Sequence, residues 1–193
     1  AWQFHTIIAP AGQVVVTSTN AESQAGYTNT ASVSVTIAAP NLLADEFTVA
    51  ASEAALDDPG SIATWYDIAN PASFSVTSEQ GIQFVYSIIR DTSPEQYSAV
   101  LDAGIIYDDI APTAPTLSGT TPTTDRTPTW SWSSGGGGIG TYRYQLDGTA
   151  GAWTTTSSTS YTPGADIALG NHTLYVQERD EAGNWSTNGS RTI

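Results

Sequence analysis

Apolar and polar residues alternate along most of this chain in short runs, with the period of two that a strand with one buried face requires. The pattern is cleanest at residues 129–133 (TWSWS) and 141–146 (TYRYQL), and it continues at 157–162 and 173–178. The first half carries runs of the same kind at 14–17, 32–38, 46–50, 72–77 and 83–89. Turn formers separate them: residues 135–138 are all Gly, and Asp147-Gly148, Pro163-Gly164 and Gly170-Asn171 follow. No stretch holds a 3.6-residue period, and 51–57 is the one place where a helical turn fits. Short strands with Gly and Pro turns in this number predict an all-β chain of sandwich type. At the start of the chain Trp2, Phe4, Thr6 and Ile8 alternate as a further half-buried strand.

A repeat fixes boundaries that hydropathy does not. Tyr86, Arg90 and Asp91 recur as Tyr175, Arg179 and Asp180 at a spacing of 89 residues. Ile8-Ala9-Pro10 recurs as Ile110-Ala111-Pro112, 102 residues on, and Trp65 recurs as Trp153, 88 residues on. The first copy is thus the longer one, and the acidic stretch from Glu53 to Gly60 is the expected insertion. The predicted organisation is an N-terminal arm at 1–8, a divergent module at 9–107, a linker at 108–115 and a regular module at 116–193.

Composition then narrows the chemistry. With no Cys, the 193-residue chain has neither disulfides nor a thiolate nucleophile or metal ligand. All five of its cations are Arg, so a P-loop lysine, a Schiff base and a Lys-Asn cross-link are excluded. A net charge of -14 repels phosphate backbones, so no nucleic-acid partner is expected. No apolar run is long enough for a membrane span, and without a signal peptide the chain reads as a mature protein or an excised fragment. His5 and His172 lie in different copies and neither sits in a nucleophile motif. Nothing singles out a carboxylate pair for glycoside hydrolysis among 19 acids. The Gly run at 135–138 lacks the Lys and helix of a phosphate cradle. Asn171, Asn184 and Asn188 open N-glycosylation triplets of the kind a Ser- and Thr-rich chain produces by chance.

The run YDDIAPTAPTLSGTTPTTDRTPTWSWSS, followed by YRYQLDG and HTLYVQERDEAGNWS, resembles the bacterial immunoglobulin-like repeats strung in tandem along large surface adhesins. In that family an Asp-x-x-Ala-Pro-x-Ala-Pro linker precedes a module whose last hairpin reads Arg-Asp-x-Ala-Gly-Asn-x-Ser. The second copy matches almost throughout. The first keeps Arg90-Asp91 but has Thr92-Ser93-Pro94-Glu95 in place of the Ala-Gly-Asn turn. The resemblance implies two tandem immunoglobulin-like β-sandwich modules in an extracellular or cell-surface protein, non-enzymatic, serving as an adhesin stalk or filament.

In modules of this topology the incoming linker lies beside the Arg-Asp turn, which would bring Asp108 and Asp109 toward Asp180, with Glu181 and Asn184 nearby. Crowded carboxylates select a hard divalent cation, and in the resembling adhesins junction ions stiffen the rod. Structural Ca2+ on Asp108, Asp109, Asp180 and Asn184 is one expectation; the other is that Asp180 caps its turn while the linker acids stay solvated. Asp91 faces no such acids, and no calcium is expected there. Trp130 and Trp132 share one strand face and read as core. Trp185, beside a loop, is the candidate ligand-binding ring in an alternative reading as a glycan- or protein-binding surface module, lectin-like or an enzyme accessory domain. The arm at 1–8 is either the remnant of a preceding module or an inter-subunit strand carrying Trp2, Phe4, Ile7 and Ile8, donated to an identical subunit.

Overall fold

A computed structural model describes residues 9–193. The expected arm at 1–8, and with it Trp2, Phe4, Ile7 and Ile8, lies outside the described residues. The chain divides into two compact units between Asp109 and Ile110.

The first unit runs β1 (Gln13–Ser18), β2 (Tyr27–Thr28), β3 (Ser32–Ala38), β4 (Glu46–Phe47), β5 (Tyr66–Asp67), β6 (Ala72–Ser75), β7 (Gly81–Ser87), β8 (Ile89–Thr92), β9 (Glu95–Tyr97) and β10 (Leu101–Tyr107). The alternation in SVSVTIA is realised literally in β3, where Val33, Val35 and Ile37 point into the core and the intervening residues do not. β3 is the middle strand of the sheet β1-β3-β6. Phe47 and Ile89 enter the same core from the sheet β5-β4-β8-β9, and Val85 and Ile105 enter it from β2-β10-β7. A core filled from facing sheets makes the unit a β-sandwich.

The second unit runs β11 (Thr116–Ser118), β12 (Trp130–Ser133), β13 (Thr141–Leu146), β14 (Thr154–Thr156), β15 (Ser160–Tyr161), β16 (Thr173–Arg179) and β17 (Gly189–Thr192). Its sheets are β11-β12-β15 and β14-β13-β16-β17. Trp130 and Trp132 of β12 are buried against Tyr142, Leu174 and Val176 of the facing sheet. The indole N–H of Trp130 donates to the Arg191 carbonyl at 3.0 Å, so the polar handle of the largest core side chain is satisfied.

The two units share one strand order. The three-stranded sheet β1-β3-β6 corresponds to β11-β12-β15, and the four-stranded sheet β5-β4-β8-β9 corresponds to β14-β13-β16-β17. In the first unit the last two strands are interrupted, and their other halves, β7 and β10, pair separately in the order β2-β10-β7. The repeated Arg90 and Arg179 lie on the corresponding strands β8 and β16, and Trp65 and Trp153 immediately precede β5 and β14. Two details differ from the sequence pattern. The run at 157–162 supplies only the short β15, because Ser157 and Ser158 turn the chain after β14. The stretch at 51–61 forms two 3-10 turns, Glu53–Leu56 and Pro59–Ser61, instead of one helical turn, with Leu56 anchored among Ala50 and Ile88.

Candidate functional site

The feature that both units have in common is where the chain comes in and where the last strand goes. In the first unit β1 starts opposite Ala38 and ends at Ser18, whose hydroxyl meets Thr28 Oγ1 at 2.9 Å. β10 ends at Tyr107 beside the same Thr28, and Asp108 N–H donates to the Thr28 carbonyl at 2.9 Å. First and last strands therefore run in one direction, between opposite poles about 20 Å apart for six residues of strand. In the second unit Gly189 opens β17 so close to Pro115 that a Cβ there would overlap the Pro115 carbonyl, and Gly119 after β11 lies against Ile193. Arg191 Nη2 ties the two strands by donating to the Gly119 carbonyl at 3.1 Å. Again both strands point the same way.

At the pole where the chain enters the second unit, the fold is closed by a buried carboxylate that the sequence pattern did not single out. Leu174, Val176 and Glu178 occupy successive inward positions of β16, and Glu178 is 0% exposed. Its Oε2 accepts from Ser134 Oγ at 2.6 Å and its Oε1 from Gly140 N–H at 3.2 Å, which pins both ends of the glycine loop. A Cβ on Gly138 would overlap the Glu178 carboxyl, so glycine here makes room for the anchor. Burial, reinforced by the Glu178 carboxylate, raises the Tyr142 phenol above its ordinary range. The signal was present in the sequence, since continuing the register of Leu174 and Val176 by two residues lands on Glu178.

The four expected metal ligands divide between the units. Asp180 is almost fully buried, and its carboxylate accepts from Asn184 N–H at 2.8 Å and Asn184 Nδ2 at 3.0 Å. That closes the hairpin turn in which Gly183 takes φ 92°, the left-handed conformation glycine tolerates. In the first unit Asp109 accepts from Gln80 Nε2 and from the Tyr107 hydroxyl. Among the described residues no three His, Asp or Glu side chains gather at metal-ligand spacing. The donor set has the right chemistry for calcium, but Asp109 and Asp180 have their oxygens engaged by hydrogen-bond donors of their own unit.

Trp185 stands in a stack. The Arg143 guanidinium lies 4.2 Å from its ring centroid and 5.0 Å from that of Trp153, and Arg179 lies 5.7 Å from Trp185. Arg143 on β13 pairs with Gln177 of β16, two residues before Arg179, so the two-residue period aims both arginines along one outer face as diagonal neighbours. Arg143 also donates to Gln177 Oε1 at 2.7 Å. The first unit makes a related pairing with Arg90, which lies 4.2 Å over Trp65 while bonding Glu46. Each of these guanidiniums packs on an aromatic ring at cation–π distance.

At the opposite pole of the second unit His172 Nδ1 meets Asp147 Oδ2 at 2.6 Å and Nε2 meets the Ala168 carbonyl at 2.9 Å. The bond to Asp147, and then that to Ala168, raises the His172 pKa above its ordinary value. His5 lies outside the described residues.

No protein-family model matches the sequence, and no curated protein matches it. Among solved structures the chain is similar to the fibronectin(III)-like modules of Clostridium thermocellum CbhA, at 15% identity and TM-score 0.48 over 94% of this chain and 93% of that one. It is similar to the human OSCAR ligand-binding domain at 14% identity and TM-score 0.37, over 94% and 97% of the two chains. A third similarity is to the glycoside hydrolase domain of Endo-D from Streptococcus pneumoniae, at 15% identity and TM-score 0.37, over 84% of this chain and 31% of that one.

Proposed function

We propose that this protein is a non-enzymatic structural segment of an extracellular stalk or surface filament, two consecutive immunoglobulin-like modules that carry load and set distance. The observation behind this reading is that in each unit the first and last strands run in the same direction between opposite poles. Tension applied through such a module loads the contacts between its terminal strands together, in shear, instead of peeling them apart one by one. The buried Glu178 anchor and the arginine-tryptophan stacks support the same reading, because they commit charged and aromatic side chains to holding each sandwich together. The arm at 1–8 serves in this reading as a strand donated to an identical subunit. Calcium at the junction is a subordinate part of the proposal and requires Asp109 and Asp180 to exchange their present hydrogen bonds for the ion.

Small-angle scattering of the purified chain tests the stalk reading. An elongated particle about two modules long supports it, and a compact particle with the modules folded side by side contradicts it.

A further inference from the structure

The 3-10 turns Glu53–Leu56 and Pro59–Ser61 take the chain away from a strand that then keeps an open edge. β4 is extended along β7 by an isolated bridge between Ala50 and Tyr86, with Ala50 N–H donating to the Tyr86 carbonyl at 2.9 Å and Tyr86 N–H returning to Ala50 at 3.0 Å. Beyond Ala50 the chain turns away into Glu53–Leu56. Since Tyr86 points its backbone groups toward β4, the two-residue period points those of Phe84 and Ile82 the same way. Among the described residues they have no partner there, and β7 ends the order β2-β10-β7. This open edge carries apolar side chains. Ile82 is 62% exposed and Phe84 49% exposed, and both fold over Gly104 of β10, where a Cβ would come within 3.3 Å of Ile82. Ile106, paired with Ile82, continues the patch toward Tyr27. An exposed, apolar, unpaired edge is a template for another strand, and soluble proteins ordinarily blunt such edges with charge or proline.

We propose that the edge Gly81–Val85, with the face of Ile82 and Phe84, is the acceptor for residues 1–8 of a second copy of this chain. This rests on the filament reading above, which supplies the donor. The segment AWQFHTII alternates Trp2, Phe4, Thr6 and Ile8, so one face of it is largely apolar, and eight residues are more than enough to pair the five of the edge. It holds no acid, whereas Glu79, Asp102 and Asp109 border the edge, so its approach meets no like charge. The edge lies toward the pole where the chain leaves the first unit, opposite the pole where Ala9 and Pro10 bring it in. Repetition of one donor and one acceptor at opposite poles is a head-to-tail contact, which propagates into a filament.

The test compares three full chains by electron microscopy and light scattering: the unaltered protein, a donor variant with Trp2→Lys and Phe4→Lys, and an acceptor variant with Ile82→Lys and Phe84→Lys. The unaltered chain is expected to form filaments, and each variant alone to remain monomeric with unchanged melting. Mixing the two variants should give a heterodimer and nothing longer, since one intact donor and one intact acceptor remain; this also shows that both variants are folded. Filaments from the acceptor variant but none from the donor variant would overturn the acceptor assignment while leaving strand donation standing. An unaltered chain that stays monomeric, or a donor variant that polymerises as well as it does, would overturn strand donation and the acceptor with it.

Discussion

Glu178 Oε2, on a side chain that is 0% exposed, accepts a 2.6 Å hydrogen bond from the hydroxyl of the surface residue Ser134. Truncating Glu178 takes the shared acceptor away from the Ser134 hydroxyl and the Gly140 N–H, which sit on exposed residues that water reaches, and empties a buried position at the end of β16. Glu178→Ala is expected to cost the second unit about 1 to 3 kcal/mol in urea unfolding, and Glu178→Gln clearly less because an amide still offers one acceptor. Equal losses for both would show that the charge, and not the acceptor count, holds the loop.

The stack of Arg143 on Trp185 predicts a stability effect and no ligand effect. Arg143→Ala should destabilise the second unit by about 1 kcal/mol or somewhat more, and Arg143→Lys should recover part of it. A glycan array probed with the unaltered chain and with Trp185→Ala separates the two roles. Binding that disappears in the variant, at unchanged melting temperature, would make the ring a ligand platform.

Asp180 closes its turn by bonding Asn184, an arrangement that needs no ion. Asp180→Ala is expected to lower the stability of the second unit by about 1 kcal/mol even in excess chelator. If the loss appears only when calcium is present, Asp180 acts as a metal ligand, and the junction ion moves from subordinate proposal to principal feature.

His172 gives the second unit a pH dependence whose sign follows from its partner. The imidazolium is favoured in the folded state by Asp147, so its pKa is raised there relative to the unfolded chain. The stabilisation is fully present below the unfolded value of about 6.5 and is lost as pH rises through the higher folded value. Melting temperature should therefore fall as pH rises from about 6.5 through the higher folded value in the unaltered chain, and His172→Asn should flatten that slope. An unchanged slope in the variant would assign the dependence to another group.

The fold was legible because its strands obey a simple rule. In β3 and β12 every second residue is apolar, and those residues are the buried ones. The repeat of Arg90 with Arg179 was readable for the same reason, since both occupy matching strands with an aromatic ring to cover. What escaped were features that depend on where a strand stops having a neighbour. Ile82 and Phe84 look like core residues in the run GIQFVYS, and only the departure of the chain after Ala50 makes them an exposed edge. Glu178 escaped because a carboxylate at an inward position reads as the end of a strand, whereas here Ser134 and Gly140 satisfy it. The opposite-pole geometry was legible only through the resemblance, which placed the incoming linker beside the turn that opens the last strand; alternation alone says nothing of the direction of one strand relative to a distant one.

Single-molecule pulling of the full chain between reference domains tests the load-bearing claim most directly. Parallel terminal strands predict two separate unfolding events, each releasing about 30 nm of chain at the contour of an extended backbone, at forces well above those of a helical-bundle reference pulled in the same tandem array. Extension of either unit at forces no higher than that helical reference would contradict the account.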